Sequence, residues 1–92
     1  MIPARHEIHP VILKLLLDRE TLSSDDIRKH VASHFRLTDE EMRRMRGPHT
    51  PEYVNETAWA LVDLQRDGMI KKPDPKRLAY RITDSGNHAA AG

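Results

Sequence analysis

The sequence has 92 residues, with 15 Lys and Arg, 14 Asp and Glu, and no cysteine. A chain of this length forms one small domain with a single core, which argues against an enzyme with a deep enclosed pocket. The absence of cysteine excludes disulfides, thiolate zinc fingers and a thiol nucleophile. No apolar stretch approaches the roughly 20 residues that cross a bilayer, so we expect a cytoplasmic protein with no membrane partner.

Two helices are predicted in the first part of the chain. Apolar residues recur at helical spacing over residues 9–18, which indicates a helix that lies in the core. Ser23 or Ser24 can cap a second helix over residues 24–35, because both are preferred N-cap residues. Leu22, in the short link between the helices, can pair briefly with a later strand.

Two more helices follow. Thr38 and Glu41 have the spacing of a capping box, in which each side chain bonds the other residue's free backbone amide, and they predict a short helix to about Arg46. Residues 51–67 contain no internal helix breaker, and Gly68 suits the left-handed position that ends a helix. This segment is the longest predicted helix.

The long helix has two different faces in projection. At about 100° per residue, the predicted core face carries Val54, Ala58, Leu61 and Gln65, with Thr57, Val62 and Leu64 flanking it. The opposite face carries Glu52, Glu56, Trp59 and Asp63. An acidic stripe of this kind is usually the solvated side of an amphipathic helix, but it can also meet a basic protein surface with the tryptophan as its anchor.

A β-hairpin is predicted after Gly68. The sequence alternates from Leu78 to Thr83 with the period of a half-buried strand, and a Pro–Asp–Pro turn precedes it. Residues 84–86 are predicted to end this strand. We expect residues 1–86 to form the domain and residues 87–92 to form a disordered tail.

Charge is unevenly distributed along the chain. Residues 47–68 hold one arginine and four carboxylates, for a net charge of −3, whereas residues 69–92 hold five basic and two acidic side chains, for +3. The basic residues of the hairpin are Lys71, Lys72, Lys76, Arg77 and Arg81. They can follow a phosphate backbone or enter a minor groove, or they can simply protect an exposed hairpin edge from aggregation.

A second basic cluster flanks the short helix. It consists of Arg36, Arg43, Arg44 and Arg46. Arg43 and Arg44 follow the carboxylates of residues 39–41 at helical spacing, so intrahelical ion pairs are the simplest interpretation for these two arginines. Arg46 lies beyond those carboxylates and is the candidate phosphate contact of this cluster.

Five segments together form a recognisable family pattern. They are the apolar Pro10–Leu16, Leu37–Glu41, Asn55 with Trp59–Ala60, Gln65–Ile70 and Tyr80–Gly86. With these segments the chain resembles the winged-helix domain at the N-terminus of Mrr-type restriction proteins. The resemblance implies a mostly α fold with a C-terminal β-hairpin, a winged helix-turn-helix, in a bacterial or phage regulatory or restriction and defence setting.

The resemblance also implies that the chain binds double-stranded DNA and has no enzymatic activity, since a separate C-terminal domain performs cleavage in that family. Asn55 on the long helix can bond adenine through two hydrogen bonds, while the hairpin contacts phosphates. Glu56 departs from the family pattern, which often has a basic residue at this position. The alternative function is therefore a protein-interaction module or small phage-type inhibitor, monomeric or homodimeric, that uses the acidic face of residues 51–67.

No catalytic, cofactor or metal site is expected from the sequence. His30 and His34 have a spacing that can hold zinc, but the glutamate of a metallopeptidase motif does not accompany them, and surface histidines are the favoured interpretation. The sequence also contains no nucleophile elbow and no glycine-rich phosphate loop.

Overall fold

The computed structural model describes residues 2–17, 21–45 and 50–91. Over these ranges the chain is mostly helical, with a small antiparallel sheet. The helices are α1 (Arg5–Leu17), α2 (Ser24–His34), α3 (Asp39–Arg43), α4 (Glu52–Arg66) and α5 (Asp84–Ala91). The strands are β1 (Leu22–Ser23), β2 (Ile70–Lys71) and β3 (Ala79–Ile82).

The sheet has the strand order β1-β3-β2, with β3 in the centre. Leu22 lies opposite Tyr80, as the sequence predicts for this short link, and Ile70 lies opposite Ile82. Residues 72–78, which connect β2 and β3, are called the wing below. Helix α2, the short α3 and the long α4, followed by this hairpin, have the element order of a winged helix-turn-helix, so the predicted fold class is confirmed.

The core lies between α1, α2, α4 and the sheet. Its fully or almost fully buried side chains include Ile8, Ile12, Leu16, Ile27, Val31, Leu64, Ile70 and Tyr80. Each buried aliphatic side chain contributes about 1.5–3 kcal/mol relative to an exposed one. Burial also raises the pKa of the Tyr80 phenol, which keeps this core residue neutral.

Helix α1 begins at Arg5, four residues earlier than predicted. The backbone amide of Ala4 donates to the Glu7 carboxylate (3.2 Å), and the amide of Glu7 donates to the Ala4 carbonyl (3.0 Å), so this pair closes the first turn. Pro10 therefore lies inside the helix, at an exposed position, and does not begin it. The extension is favourable because it places Ile8 in the core with no exposed surface.

The predicted helix caps of α2 and α3 are confirmed. The Ser23 hydroxyl accepts a hydrogen bond from a first-turn amide of α2 at 3.2 Å. The Thr38 hydroxyl accepts from the Glu41 amide (3.1 Å), and the Glu41 carboxylate accepts from the Thr38 amide (3.0 Å). Helix α3 ends at Arg43, earlier than predicted, and Arg46 lies outside the described residues.

The buried face of α4 differs from the predicted one. The buried residues are Thr57, Ala60, Leu61, Asp63 and Leu64, whereas the predicted core residues Ala58 and Gln65 are exposed. Thr57 tolerates burial because its hydroxyl donates to the carbonyl of Tyr53 at 2.7 Å. The small Ala60, with no exposed surface, allows α4 to approach its neighbours closely.

The predicted disordered tail is wrong, because helix α5 extends from Asp84 to Ala91. Thr83 caps this helix: its hydroxyl accepts from the amide of Gly86 at 3.1 Å and donates to the carbonyl of Gly68 at 2.6 Å. Ala90 packs against the core cluster. The residues 84–86 that resemble a strand end in the sequence are thus the first turn of a capped helix.

Candidate nucleic-acid interface

Helix α4 is the element that a winged helix-turn-helix presents to a ligand, and α3 fixes its start. The amide of Glu52 donates to the Arg44 carbonyl at 2.8 Å, and Met45 and Pro51 form an isolated antiparallel bridge beside this bond. The 15 residues of α4 make a rod about 22 Å long. The major groove of DNA is wide enough to admit an α-helix of this kind.

The outward face of α4 is defined here by Asn55, Ala58, Trp59 and Val62. These residues have the spacing i, i+3, i+4 and i+7 and therefore lie along one strip of the helix. Trp59 and Val62 are each 49% exposed, Ala58 is exposed and Asn55 is half-buried. These four residues are uncharged and largely apolar, with one amide near the N-terminal end, and the exposed Arg66 continues the strip one turn after Val62.

Asp63, predicted to belong to an exposed acidic stripe, is buried with 8% exposure. Its carboxylate lies 3.1 Å from His9 Nε2, 3.8 Å from Arg5 Nε and 3.5 Å from an Arg66 guanidinium nitrogen. Three basic side chains therefore compensate this carboxylate, which explains why it is tolerated at the α1–α4 contact.

Glu56 is also directed towards α1. Its Oε2 accepts a hydrogen bond from the backbone amide of Arg5 at 2.9 Å. Glu52 is half-buried in the first turn of α4, where the positive end of the helix dipole stabilises a carboxylate. The predicted exposed stripe of Glu52, Glu56, Trp59 and Asp63 is thus wrong as a single surface, because two of its carboxylates hold the N-terminus of α1.

A cleft of about 520 Å³ adjoins the outward face at the α1 side. Its lining includes Arg5, Asn55, Glu56 and Trp59. The Arg5 guanidinium lies 5.8 Å from the centroid of the Trp59 ring, within the range of a cation–π contact. Arg5 thus places a positive charge at the margin of an otherwise uncharged strip.

The basic hairpin contains two unpaired cations that face each other. Lys71 on β2 is the register partner of Arg81 on β3, and both side chains are exposed. Directly opposed like charges destabilise an antiparallel pair. Among the residues that the structure describes, no carboxylate lies within ion-pair distance of Lys71, Lys76 or Arg81.

The remaining basic residues, Lys72 and Arg77, have partners within the hairpin. Lys72 lies with its ammonium 5.8 Å from the centroid of the Tyr80 ring. Asp74 accepts the Lys76 amide at 3.0 Å, and its carboxylate lies 3.7 Å from Arg77 Nε. Arg77 is therefore a weaker candidate for phosphate contact than the sequence suggests.

Leu78 departs from the predicted alternation of the strand. It precedes β3 and is 62% exposed, although the sequence pattern places it on the same side as the buried Tyr80. The Leu78 carbonyl accepts the Ser24 amide at 2.8 Å, which joins the end of the wing to the start of α2. The side chain consequently adds apolar surface to the wing.

The predicted ion pairs of the short helix do not form. Arg43 and Arg44 are exposed, and in the described part of the chain neither lies within ion-pair distance of a carboxylate. The Glu41 carboxylate instead bonds the Thr38 amide, which removes the closest predicted partner. The backbone of Arg44 lies at the start of α4, where its carbonyl accepts the Glu52 amide.

His30 and His34 share a face of α2, with ring centroids 6.2 Å apart. Within residues 2–17, 21–45 and 50–91, no group of three or more His, Asp or Glu side chains is arranged to hold a metal ion. The two histidines are exposed.

The network around Asp63 was missed by the sequence analysis, although two signals for it exist. Arg5 and His9 are four residues apart on α1, and Asp63 and Arg66 are three apart on α4, so each pair lies on one side of its helix. Such matched pairs indicate two helices that contact each other. The helical projection alone hid this, because it assigned every carboxylate to solvent.

The fold is that of a winged helix-turn-helix domain, in which the largely apolar outward face of α4 accompanies a basic hairpin. The sequence matches the family model described as the Mrr N-terminal domain over residues 6–91, and the chain belongs to that family. Neither curated proteins nor solved structures provide a significant match. In the described residues, no helix is long and apolar enough to cross a membrane.

Proposed function

We propose that this chain is a non-enzymatic module that binds double-stranded DNA in a bacterial or phage restriction and defence setting. The outward face of α4 enters the major groove, and the cations of the hairpin contact phosphates. The observation that carries the proposal is the orientation of α4. Because Glu56 and Asp63 are directed at α1, the four residues of the outward face include no carboxylate, and Glu56 lies at the margin of that face in the cleft with Arg5.

Two further features support this function. Lys71 and Arg81 are held opposite each other without a carboxylate partner in the described structure, which is unfavourable unless an anion joins them. Arg43 and Arg44, also without ion-pair partners there, are exposed, and the Arg44 carbonyl accepts the Glu52 amide at the start of α4. Phosphate contacts from both ends of the helix would fix its position in a groove.

The alternative of an acidic docking surface has less support. It requires Glu52, Glu56, Trp59 and Asp63 to act together on a basic protein surface. Asp63 is buried among its own basic partners, and the Arg5 amide holds Glu56. Only Trp59 of this group is extensively exposed, and it lies on the strip that we assign to DNA.

The test compares two variants that each lose two positive charges. We expect Lys71→Gln with Arg81→Gln to reduce the slope of log affinity against log salt by about 1.8 for a duplex, since each lost phosphate contact removes about 0.9. The matched control is Lys14→Gln with Lys29→Gln, two exposed lysines on α1 and α2. Equal slopes for the two variants would show that binding follows net charge and would contradict a phosphate-binding hairpin.

A further inference from the structure

We infer that the outward face of α4 reads A·T base pairs in the major groove; this inference rests on the proposed DNA binding and adds the sequence preference. Asn55, Ala58, Trp59 and Val62 line one strip over about two turns. An amide followed by apolar side chains is a specific chemical pattern, and base pairs differ in how well they match it.

The amide of Asn55 matches adenine. The major-groove edge of adenine offers the N7 acceptor and the N6 donor, which an asparagine side chain pairs with two hydrogen bonds. Asn55 lies at the margin of the cleft lined by Arg5 and Trp59, and its side chain is half-buried there.

The apolar residues match thymine, the partner of adenine. Thymine is the base that presents a methyl group in the major groove, and alanine or other apolar side chains contact it. Ala58 and Val62 lie one and two turns after Asn55, with Val62 49% exposed. They can therefore contact methyl groups of base pairs adjacent to the adenine.

The strip is poorly suited to G·C pairs. Guanine is usually read by an arginine or lysine that bonds its O6 and N7. None of the four outward-face residues is basic. The nearby Arg5 is engaged with Asp63 and Trp59, and Arg66, one turn after Val62, is engaged with Asp63 and Asp67. If a guanine faced this strip, its O6 and N7 acceptors would have no charged donor among the four residues.

The experiment uses three duplexes of equal length with identical flanks and a central block of A·T, G·C or inosine·C pairs. We expect the A·T duplex to bind about tenfold more tightly than the G·C duplex, the discrimination typical of one bidentate contact. Inosine·C resembles A·T in the minor groove and G·C in the major groove. Major-groove reading therefore predicts weak inosine·C binding, whereas tight inosine·C binding would show that the wing reads the minor groove and would overturn the inference.

Two further measurements locate the preference on α4. Asn55→Ala should reduce the A·T preference at least threefold while the salt slope stays unchanged, and uracil in place of thymine should weaken wild-type binding about threefold through the lost methyl groups. Equal affinity for all three duplexes would overturn the sequence preference but leave DNA binding standing. No affinity for any duplex would overturn both.

Discussion

Gly86 lies where α5 approaches the start of the hairpin more closely than a side chain allows. A Cβ atom at this position would lie 2.1 Å from the carbonyl oxygen of Met69 and 2.6 Å from Cγ1 of Ile82. The first contact is with backbone, which cannot turn aside as a flexible side chain can. The requirement for glycine here comes from packing.

We expect Gly86→Ala to lower the free energy of unfolding by about 1–3 kcal/mol, the usual cost of overpacking. Ser85→Ala is the matched control, because Ser85 is exposed one residue earlier in the same helix. It should leave stability unchanged or raise it slightly, since alanine favours helices. Urea denaturation followed by circular dichroism measures both, and equal stability of the two variants would contradict the close approach.

Gly68 illustrates a residue whose role the sequence does predict. It has φ = +74°, the left-handed conformation expected where a helix ends, and its surroundings are open. The signal is local, because it depends only on the end of one helix. The role of Gly86 depends on where another element passes, and no local pattern contains that information.

At the scale of elements, the contact between α1 and α4 depends on Asp63. Its carboxylate connects Arg5 and His9 of α1 with Arg66 of its own helix. Loss of this carboxylate leaves several basic groups close together at a part-buried contact. The contacts of Asp63 therefore stabilise the packing of α1 against α4. They also set the rotation of α4 about its axis, which leaves the outward face exposed.

Asp63→Ala should lower the free energy of unfolding by about 1–3 kcal/mol, because His9 loses its hydrogen-bond partner and Arg5 and Arg66 lose an ion-pair partner. The control is Asp67→Ala, four residues later, whose side chain is 50% exposed and pairs with Arg66 alone. A surface change of that kind should alter stability by less than about 0.5 kcal/mol. If the Asp63 variant is as stable as the Asp67 variant, the carboxylate does not hold the two helices together.

The elements themselves were largely predictable, because their signals are local. The caps at Ser23 and Thr38 depend on three or four neighbouring residues, and both form as predicted. The rotation of α4 was not predictable in this way, since the burial of the charged Asp63 depends on Arg5 and His9 of α1, which approach it only in the folded structure. Helix α5 was missed because the glycine and serine of its first turn resemble a strand end.

At the scale of the whole molecule, the formal net charge of +1 conceals a separation of charge. Two carboxylates of α4, Glu56 and Asp63, are directed at α1, while Lys71, Lys76 and Arg81 remain exposed on the hairpin. A near-neutral protein can therefore present a locally positive surface to a polyanion. The family match supports a restriction-associated domain, and this charge arrangement is what supports a DNA-binding role within it.

The most direct test of DNA binding is the affinity of the wild-type chain for a duplex as salt is raised. If the three exposed hairpin cations each contact a phosphate, log affinity should fall with log salt at a slope of about −2.7 or steeper. Affinity should then decrease roughly 40-fold between 50 and 200 mM salt. No measurable duplex affinity at 50 mM salt, or an affinity that does not change with salt, would contradict the account.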